Sequence, residues 1–151
     1  MVPDEPDDFR IPQSGGVPWR QLELSGDTRP ADRQLEITDV KAMAVAGNFT
    51  WGLVKVETNG DIYGLGETYR APQGMVEFTT SLAEELRGEN PLDTNRLRAL
   101  LDQHYTGTGR IGKGALTGVE IALWDIKGKV HDLPVYELLG GKYRNDVAVY
   151  C

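Results

Sequence analysis

Cysteine and histidine are scarce in this 151-residue chain: Cys151 is its one thiol, and His104 and His131 are its two imidazoles. A single cysteine excludes a disulfide framework, so a reducing, cytoplasmic setting is the expectation. Neither histidine has a second metal-type ligand four residues away, so the spacing of a zinc-binding helix is missing. Both fall at predicted helix ends and are expected to cap or to face solvent. Long hydrophobic runs are missing too, and no stretch nears the ~20 apolar residues that span a bilayer. The N-terminus carries no basic-then-apolar leader, so no membrane partner is expected. The last absence is positive charge: 16 Lys and Arg against 23 Asp and Glu leave a net charge of −7. Nucleic-acid backbones reward clustered cations, so nucleic acid is not an expected partner either.

What remains is the composition of one soluble globular domain, 40% hydrophobic and 26% charged, long enough to bury a core. Its organising stretch is Ala115–Gly141, ALTGVEIALWDIKGKVHDLPVYELLGG. Leu116, Val119, Leu123, Ile126 and Val130 recur in steps of three and four, which draws one apolar face along a helix. Asp125 and Lys129 stand four apart in the favourable order for a surface ion pair. Gly118 and Gly128 each cost a helix roughly 1 kcal/mol relative to Ala. Such glycines are expected where another backbone comes close. His131-Asp132-Leu133-Pro134 ends the helix, because the residue before a proline is pushed out of helical geometry. Pro134 then suits the first position of a short helix, Val135–Leu139, and Gly140-Gly141 its C-terminal cap.

Upstream, residues 1–34 hold Pro3, Pro6, Pro12, Pro18 and Pro30 and no usable period, and read as an N-terminal arm. The main domain is expected over residues 35–141. It opens with strands Leu35–Ala46, Trp51–Thr58 and Asp61–Thr68. In the first, Val40, Ala42, Ala44 and Ala46 share one face and Met43 and Val45 the other. Asn59-Gly60 is the pair favoured in a tight hairpin turn, since both residues accept positive φ. Gly64 and Gly66 point to a bulge or a close backbone neighbour. Pro72–Arg87 reads as one helix with Met75, Phe78, Leu82 and Leu86 along one side, closed by Gly88. A second helix, capped by Asp93 or Thr94, presents Leu97, Leu100, Leu101 and Tyr105. Strands first and helices afterwards is α+β organisation: a three-stranded antiparallel meander followed by a helical bundle.

Two blocks carry a family resemblance. The helix containing IALWDIKGK with the following PVYELLGG, and WGLVKVETNGDIYGLGET with its Gly-x-Gly-Glu element, resemble the N-terminal capping domain of the mandelate racemase and muconate lactonising branch of the enolase superfamily. The resemblance covers roughly Leu35–Tyr150 and is closest to the acid-sugar dehydratases. It implies that residues 142–151 approach and enter the first strand of a (β/α) barrel, Asp146–Tyr150, and that the catalytic barrel itself is absent from the sequence. For the parent enzyme it implies proton abstraction next to a carboxylate by a Lys or His, with magnesium holding the carboxylate and stabilising the enediolate. Dehydration of a sugar acid is the first expectation, and racemisation or lactone formation the alternatives. The implied partners are a small carboxylate substrate, the barrel domain and further copies in a homo-oligomer. The metal carboxylates and acid–base residues of the family have no matching positions here. No catalytic or metal-binding residue is therefore assigned to this chain, whose part is that of lid and specificity element. The reading from another class is a non-catalytic, stand-alone interaction module.

Three local features bear on chemistry. Gly107–Gly114, GTGRIGKG, satisfies G-x-G-x-x-G, but a phosphate loop needs a strand before it and a hydroxyl where Gly114 stands. The run is expected to be a flexible connection between two helices, with no nucleotide bound. Glu67 is a lone carboxylate at a strand end, without the partner that acid–base chemistry shows, and reads as an anchor to neighbouring backbone. The loops Gly47–Trp51 and Tyr69–Gln73 are the better candidates, since the resemblance folds them over the barrel mouth. Arg70 suits a carboxylate, Asn48 and Tyr69 suit hydroxyls, and Trp51 suits water exclusion. Ordinary surface-loop chemistry accounts for them equally well.

Overall fold

A computed structural model describes residues 35–105 and 108–150. The expected N-terminal arm (residues 1–34), Gly107, the side chains of His104 and Tyr105, and Cys151 lie outside the described residues. Strands β1 (Ile37–Ala46), β2 (Thr50–Thr58) and β3 (Tyr63–Glu67) form one antiparallel sheet in the order β1-β2-β3. Its register pairs Val40 with Val56, Ala42 with Val54, and Val56 in turn with Gly64. Period-two alternation turns Val40, Val54 and Val56 into the core and Met43, Leu53 and Leu65 to solvent. The expected division of β1 holds in the register. Beyond Ala42, however, both faces of β1 are exposed, because the distal end of the β1–β2 hairpin projects past the helices.

The turn at Asn59-Gly60 differs from the two-residue form. Glu57 pairs with Tyr63, so the connection is longer, and Gly60 is not among the glycines with positive φ. The reason is competition for Asn59. Its N–H donates to Glu36 O at 3.0 Å and its Oδ1 accepts from Glu36 N at 3.0 Å, which extends the β1–β2 pairing. Thr58 closes the loop: its hydroxyl donates to Ile62 O and accepts from Gly60 N at 3.3 Å.

Five helices follow: α1 (Met75–Ser81), α2 (Ala83–Leu86), α3 (Thr94–Tyr105), α4 (Gly109–His131) and α5 (Val135–Leu138). The single helix expected over Pro72–Arg87 is broken at Leu82. Thr79 and Ser81 hydroxyls donate back to Met75 O and Phe78 O at 2.7 Å each, and such back-bonding bends helices. Its apolar face still works as one, with Met75, Leu82 and Leu86 each 2% exposed or less. Gly88, at φ +79°, closes it as expected. The glycine-rich run is not a flexible connection. Gly109–Gly114 forms the first turns of α4, and buried Gly112 packs so close to Thr108 that a Cβ would overlap its hydroxyl. At the other end Asp132 takes the left-handed conformation (φ 53°), and Leu133 N donates to Gly128 O at 2.9 Å. Val135 and Leu133 then lie against Gly128, where an added Cβ would stand 2.8 Å from Leu133 O. The strand expected over Asp146–Tyr150 is not formed. A strand needs a ladder partner, none is present among the described residues, and Val147, Val149 and Tyr150 are exposed.

One contact sets the position of the sheet on the helices. β3 lies on α4 with Gly64 over Ala122 and Gly66 over Gly118, so close that a Cβ on either strand glycine would overlap a helix carbonyl oxygen. Two strand residues advance about 6.6 Å and four helix residues about 6.0 Å, so the two contacts stay in step. The Asp125–Lys129 pair reinforces this seam beyond a surface ion pair. Asp125 Oδ2 accepts from Leu65 N at 2.8 Å and from Lys129 Nζ at 2.7 Å, and Lys129 also donates to Tyr63 O at 2.8 Å. At the opposite edge Arg87 donates to Thr38 O at 3.1 Å and pairs with Asp39 at 3.0 Å.

Gly66→Ala should therefore destabilise the domain by roughly 3 kcal/mol, because the clash is with backbone and cannot be relieved by a rotamer change. Gly74→Ala has open space and only its left-handed φ of +84° to lose, so about 1 kcal/mol is expected. Urea denaturation of both variants checks the order, and equal losses would refute the seam. On the outer face Glu57 accepts from Lys41 at 2.6 Å and Lys55 at 2.8 Å. These hydrogen bonds, that of Lys41 foremost, hold its carboxyl below the ordinary glutamate value. Such a group contributes stability present above the ordinary value and lost as pH falls through the lowered one. An NMR titration of Glu57 should give a midpoint below that of an exposed glutamate and return to it in the Lys41→Ala, Lys55→Ala variant.

Candidate functional site

The two candidate loops are stitched to each other by backbone. Thr68 N donates to Gly52 O at 2.8 Å and Ala71 N to Thr50 O at 3.0 Å, so the chain leaving β3 continues beside the start of β2. Buried Thr68 sits where a side chain on Gly52 would begin, and its hydroxyl donates to Arg70 O at 3.0 Å. Glycine at 52 is what lets the second loop approach the first. Between these bonds Tyr69 is forced to φ +70°, a conformation that costs a tyrosine on the order of 1–3 kcal/mol and persists only where neighbours hold it.

The result is a small cluster of rings and one cation. Phe49 and Trp51 have ring centroids 4.1 Å apart, tilted by 41°, and the Tyr69 ring lies 6.5 Å from that of Phe49. The Arg70 guanidinium stands 5.0 Å from the Phe49 ring and 5.4 Å from that of Tyr69. Three of the four expected site residues, Trp51, Tyr69 and Arg70, are thus brought together. Asn48 is placed differently: its Oδ1 accepts from Phe49 N at 3.1 Å and shapes the hairpin tip. Phe49, the residue at the centre, was not singled out from sequence. The signal was there, since positions 49 and 51 of a hairpin point to the same side.

Beside this cluster runs an open groove of about 1160 Å³, lined by Glu67–Arg70, Pro72 and Met75 on one wall and by Arg110, Lys113, Thr117 and Ile121 of α4 on the other. Gly114 allows the walls to meet, because a Cβ there would stand 2.7 Å from Met75 Cε. Glu67 does not anchor the strand end through its side chain; among the described residues its carboxylate has no bonding partner and faces the groove. His131 is exposed at the end of α4, as expected. Among the described residues no three His, Cys, Asp or Glu side chains come together in a group that could hold a metal ion. No helix among them is long and apolar enough to cross a membrane.

This sheet-on-helices architecture, with two loops joined at one end, has counterparts among known proteins. Residues 31–140 match the family described as mandelate racemase / muconate lactonizing enzyme, N-terminal domain, and the chain belongs to that family as its capping domain. It is 46% identical over 142 residues to D-xylonate dehydratase of Haloferax volcanii, covering 88% of this chain and 34% of that protein. A D-galactonate dehydratase family member of Musicola paradisiaca is 39% identical over 127 residues, with 78% and 30% covered. The crystal structure of a mandelate racemase/muconate lactonizing enzyme-like protein from Rubrobacter xylanophilus is 37% identical, with a TM-score of 0.68 over 74% of this chain and 29% of that one. A mandelate racemase/muconate lactonizing protein from Paracoccus denitrificans, complexed with magnesium, is 33% identical with a TM-score of 0.63, over 73% and 32%. The chain spans about a third of the length of the curated relatives it matches.

If Arg70 is held by the rings, Phe49 and Arg70 must be coupled. A double-mutant cycle of Phe49→Ala and Arg70→Ala in thermal unfolding should return about 0.5–1 kcal/mol of interaction. Additive losses would separate the cation from the cluster.

Proposed function

We propose that this domain is the lid and part of the specificity wall of a magnesium-dependent sugar-acid dehydratase, and that Trp51, Tyr69 and Arg70 face its substrate while Asn48 shapes the hairpin tip that presents Trp51. The observation that carries the reading is the Phe49–Trp51–Tyr69–Arg70 cluster on two backbone-stitched loops, in a chain whose relatives include a D-xylonate dehydratase. The cluster suits the task chemically. Rings packed at van der Waals distance exclude water, and a guanidinium held over them is pre-oriented, so less freedom is lost when it meets a carboxylate or hydroxyl. Strain at Tyr69 fits a loop kept in one conformation by its surroundings. The reaction is abstraction of the proton α to the carboxylate followed by loss of the β-hydroxyl. Bound magnesium would supply charge stabilisation to the developing anion, and its holders and the base belong to the barrel. This domain binds, orients and shields.

In the enzyme that carries this domain with its barrel, Arg70→Ala should lower kcat/KM for D-xylonate about ten- to a hundredfold, the value of one charge-assisted hydrogen bond. Exchange of the substrate α-proton with deuterated solvent should persist at a reduced rate. The 151-residue chain by itself should show no magnesium-dependent exchange. Wild-type kinetics in the variant would remove Arg70 from the site, and exchange by the isolated chain would overturn the division of labour.

A further inference from the structure

Tyr69 stands at the middle of an uncommon turn. Arg70 N donates to Thr68 O at 2.9 Å across it, and Tyr69 itself has φ +70°. A hydrogen bond from residue i+2 back to residue i around a centre of positive φ is the rare and strained form of the γ-turn. A tyrosine stays there only under a restraint that a relaxed loop does not need. Thr68 supplies one. Its side chain, 5% exposed, fills a slot cleared by glycine on both sides: a Cβ on Gly52 would overlap the hydroxyl, and a Cβ on Gly118 of α4 would stand 2.8 Å from the methyl. Gly52 O already accepts from Thr68 N at 2.8 Å and lies 3.4 Å from the hydroxyl. The single hydroxyl proton therefore goes to Arg70 O, at 3.0 Å. That bond passes over Tyr69 and closes its turn a second time. The methyl seats Thr68 against α4, and the hydroxyl ties the turn to Thr68.

We infer that Thr68 is a positioning residue of the lid: its hydroxyl keeps the Tyr69 turn closed and so sets where the Tyr69 ring and the Arg70 guanidinium are presented. Thr68 itself touches no substrate, because its side chain lies beneath the loop, between β2 and α4. Backbone ties the loop to β2 at Thr68 and again at Ala71. Between those ties the main chain is held by the turn's own hydrogen bond and by the Thr68 hydroxyl. A neutral hydrogen bond of this kind shifts a two-state equilibrium roughly fivefold. Strain at Tyr69 of similar size opposes it, so without the hydroxyl the open loop gains population at the expense of the closed one. Apparent affinity for a ligand that needs the closed loop falls by the same fraction. The inference rests on the reading of Tyr69 and Arg70 as substrate-facing residues, and it names the group that makes their loop ready before substrate arrives.

Three variants separate the two halves of the side chain. Thr68→Val keeps the shape and loses the hydroxyl, whereas Thr68→Ser keeps the hydroxyl and loses the methyl. Thr68→Ala, set against the Ser variant, isolates the hydroxyl again if the Val variant does not fold. In the 151-residue chain the sign of φ at Tyr69 is read by NMR from its one-bond Cα–Hα coupling. Wild type and the Ser variant should show positive φ, and the Val and Ala variants an averaged or negative one. In the enzyme that carries this domain with its barrel, Thr68→Val should raise KM for D-xylonate about two- to fivefold and leave kcat within a factor of about two. Thr68→Ser should keep the wild-type KM despite a lower urea midpoint. A purely structural role gives the opposite order, with the largest loss in the least stable variant and KM unchanged. Positive φ at Tyr69 in the Val variant, or KM that follows stability instead of the hydroxyl, would overturn the inference. A wild-type KM and kcat in Arg70→Ala would instead remove the substrate-facing reading, and the NMR comparison would still decide whether Thr68 holds the turn.

Discussion

Everything in this domain depends on two backbones touching without side chains between them. Gly64 and Gly66 lay β3 directly on α4 at Ala122 and Gly118. Ordinary strand–helix packing keeps a layer of side chains between the two elements. Here the layer is missing on β3, and Val54 and Val56 of the neighbouring strand fill the space beside it. The separation of strand and helix is then set by hard-sphere contact of main chains. That contact has no soft rotamers with which to adjust.

The same helix satisfies the strand's hydrogen bonds. β3 is an edge strand, and an edge exposes main-chain groups that invite pairing with another chain. Asp125 and Lys129 occupy one such N–H and one such C=O, so α4 takes the place of a fourth strand for part of the edge. Arg87 and the backbone of Gly88 and Glu89 do the equivalent at the start of β1. Helix α4 is thus core, spacer and edge cover at once, and through Arg110 and Lys113 it is also one wall of the groove.

Much of this was legible in the residues. The apolar stripe of α4, its stop at Asp132–Pro134 and the glycines at 118 and 128 announced a helix against which backbone would pack, and backbone does. The order of strands and helices was equally readable. Failures came where a local rule met a tertiary competitor. Asn59-Gly60 lost its tight turn because Asn59 is claimed by Glu36, and the run Gly109–Gly114 became helix with Gly112 fitted against Thr108 and Gly114 against Met75. The helix break at Leu82 turned on hydroxyls at 79 and 81, whose pairing a propensity cannot weigh. Of the candidate site, the loops were identifiable but their centre was not. Phe49 gathers Trp51, Tyr69 and Arg70 only because Gly52 and Thr68 bring two distant stretches together.

Helix α4 also joins two distant points of the domain. Its rise of 1.5 Å per residue puts Lys113, on the groove, roughly 27 Å from His131, where the chain turns away. The end at Gly128 is clasped by Leu133 and Val135. Because β3 is seated on the same rod by main-chain contact, the Tyr69–Arg70 loop that leaves it is held at a fixed distance from that wall. The two sides of the groove are therefore set by one main-chain contact, and the spacing between them is a property of the backbone rather than of any side chain.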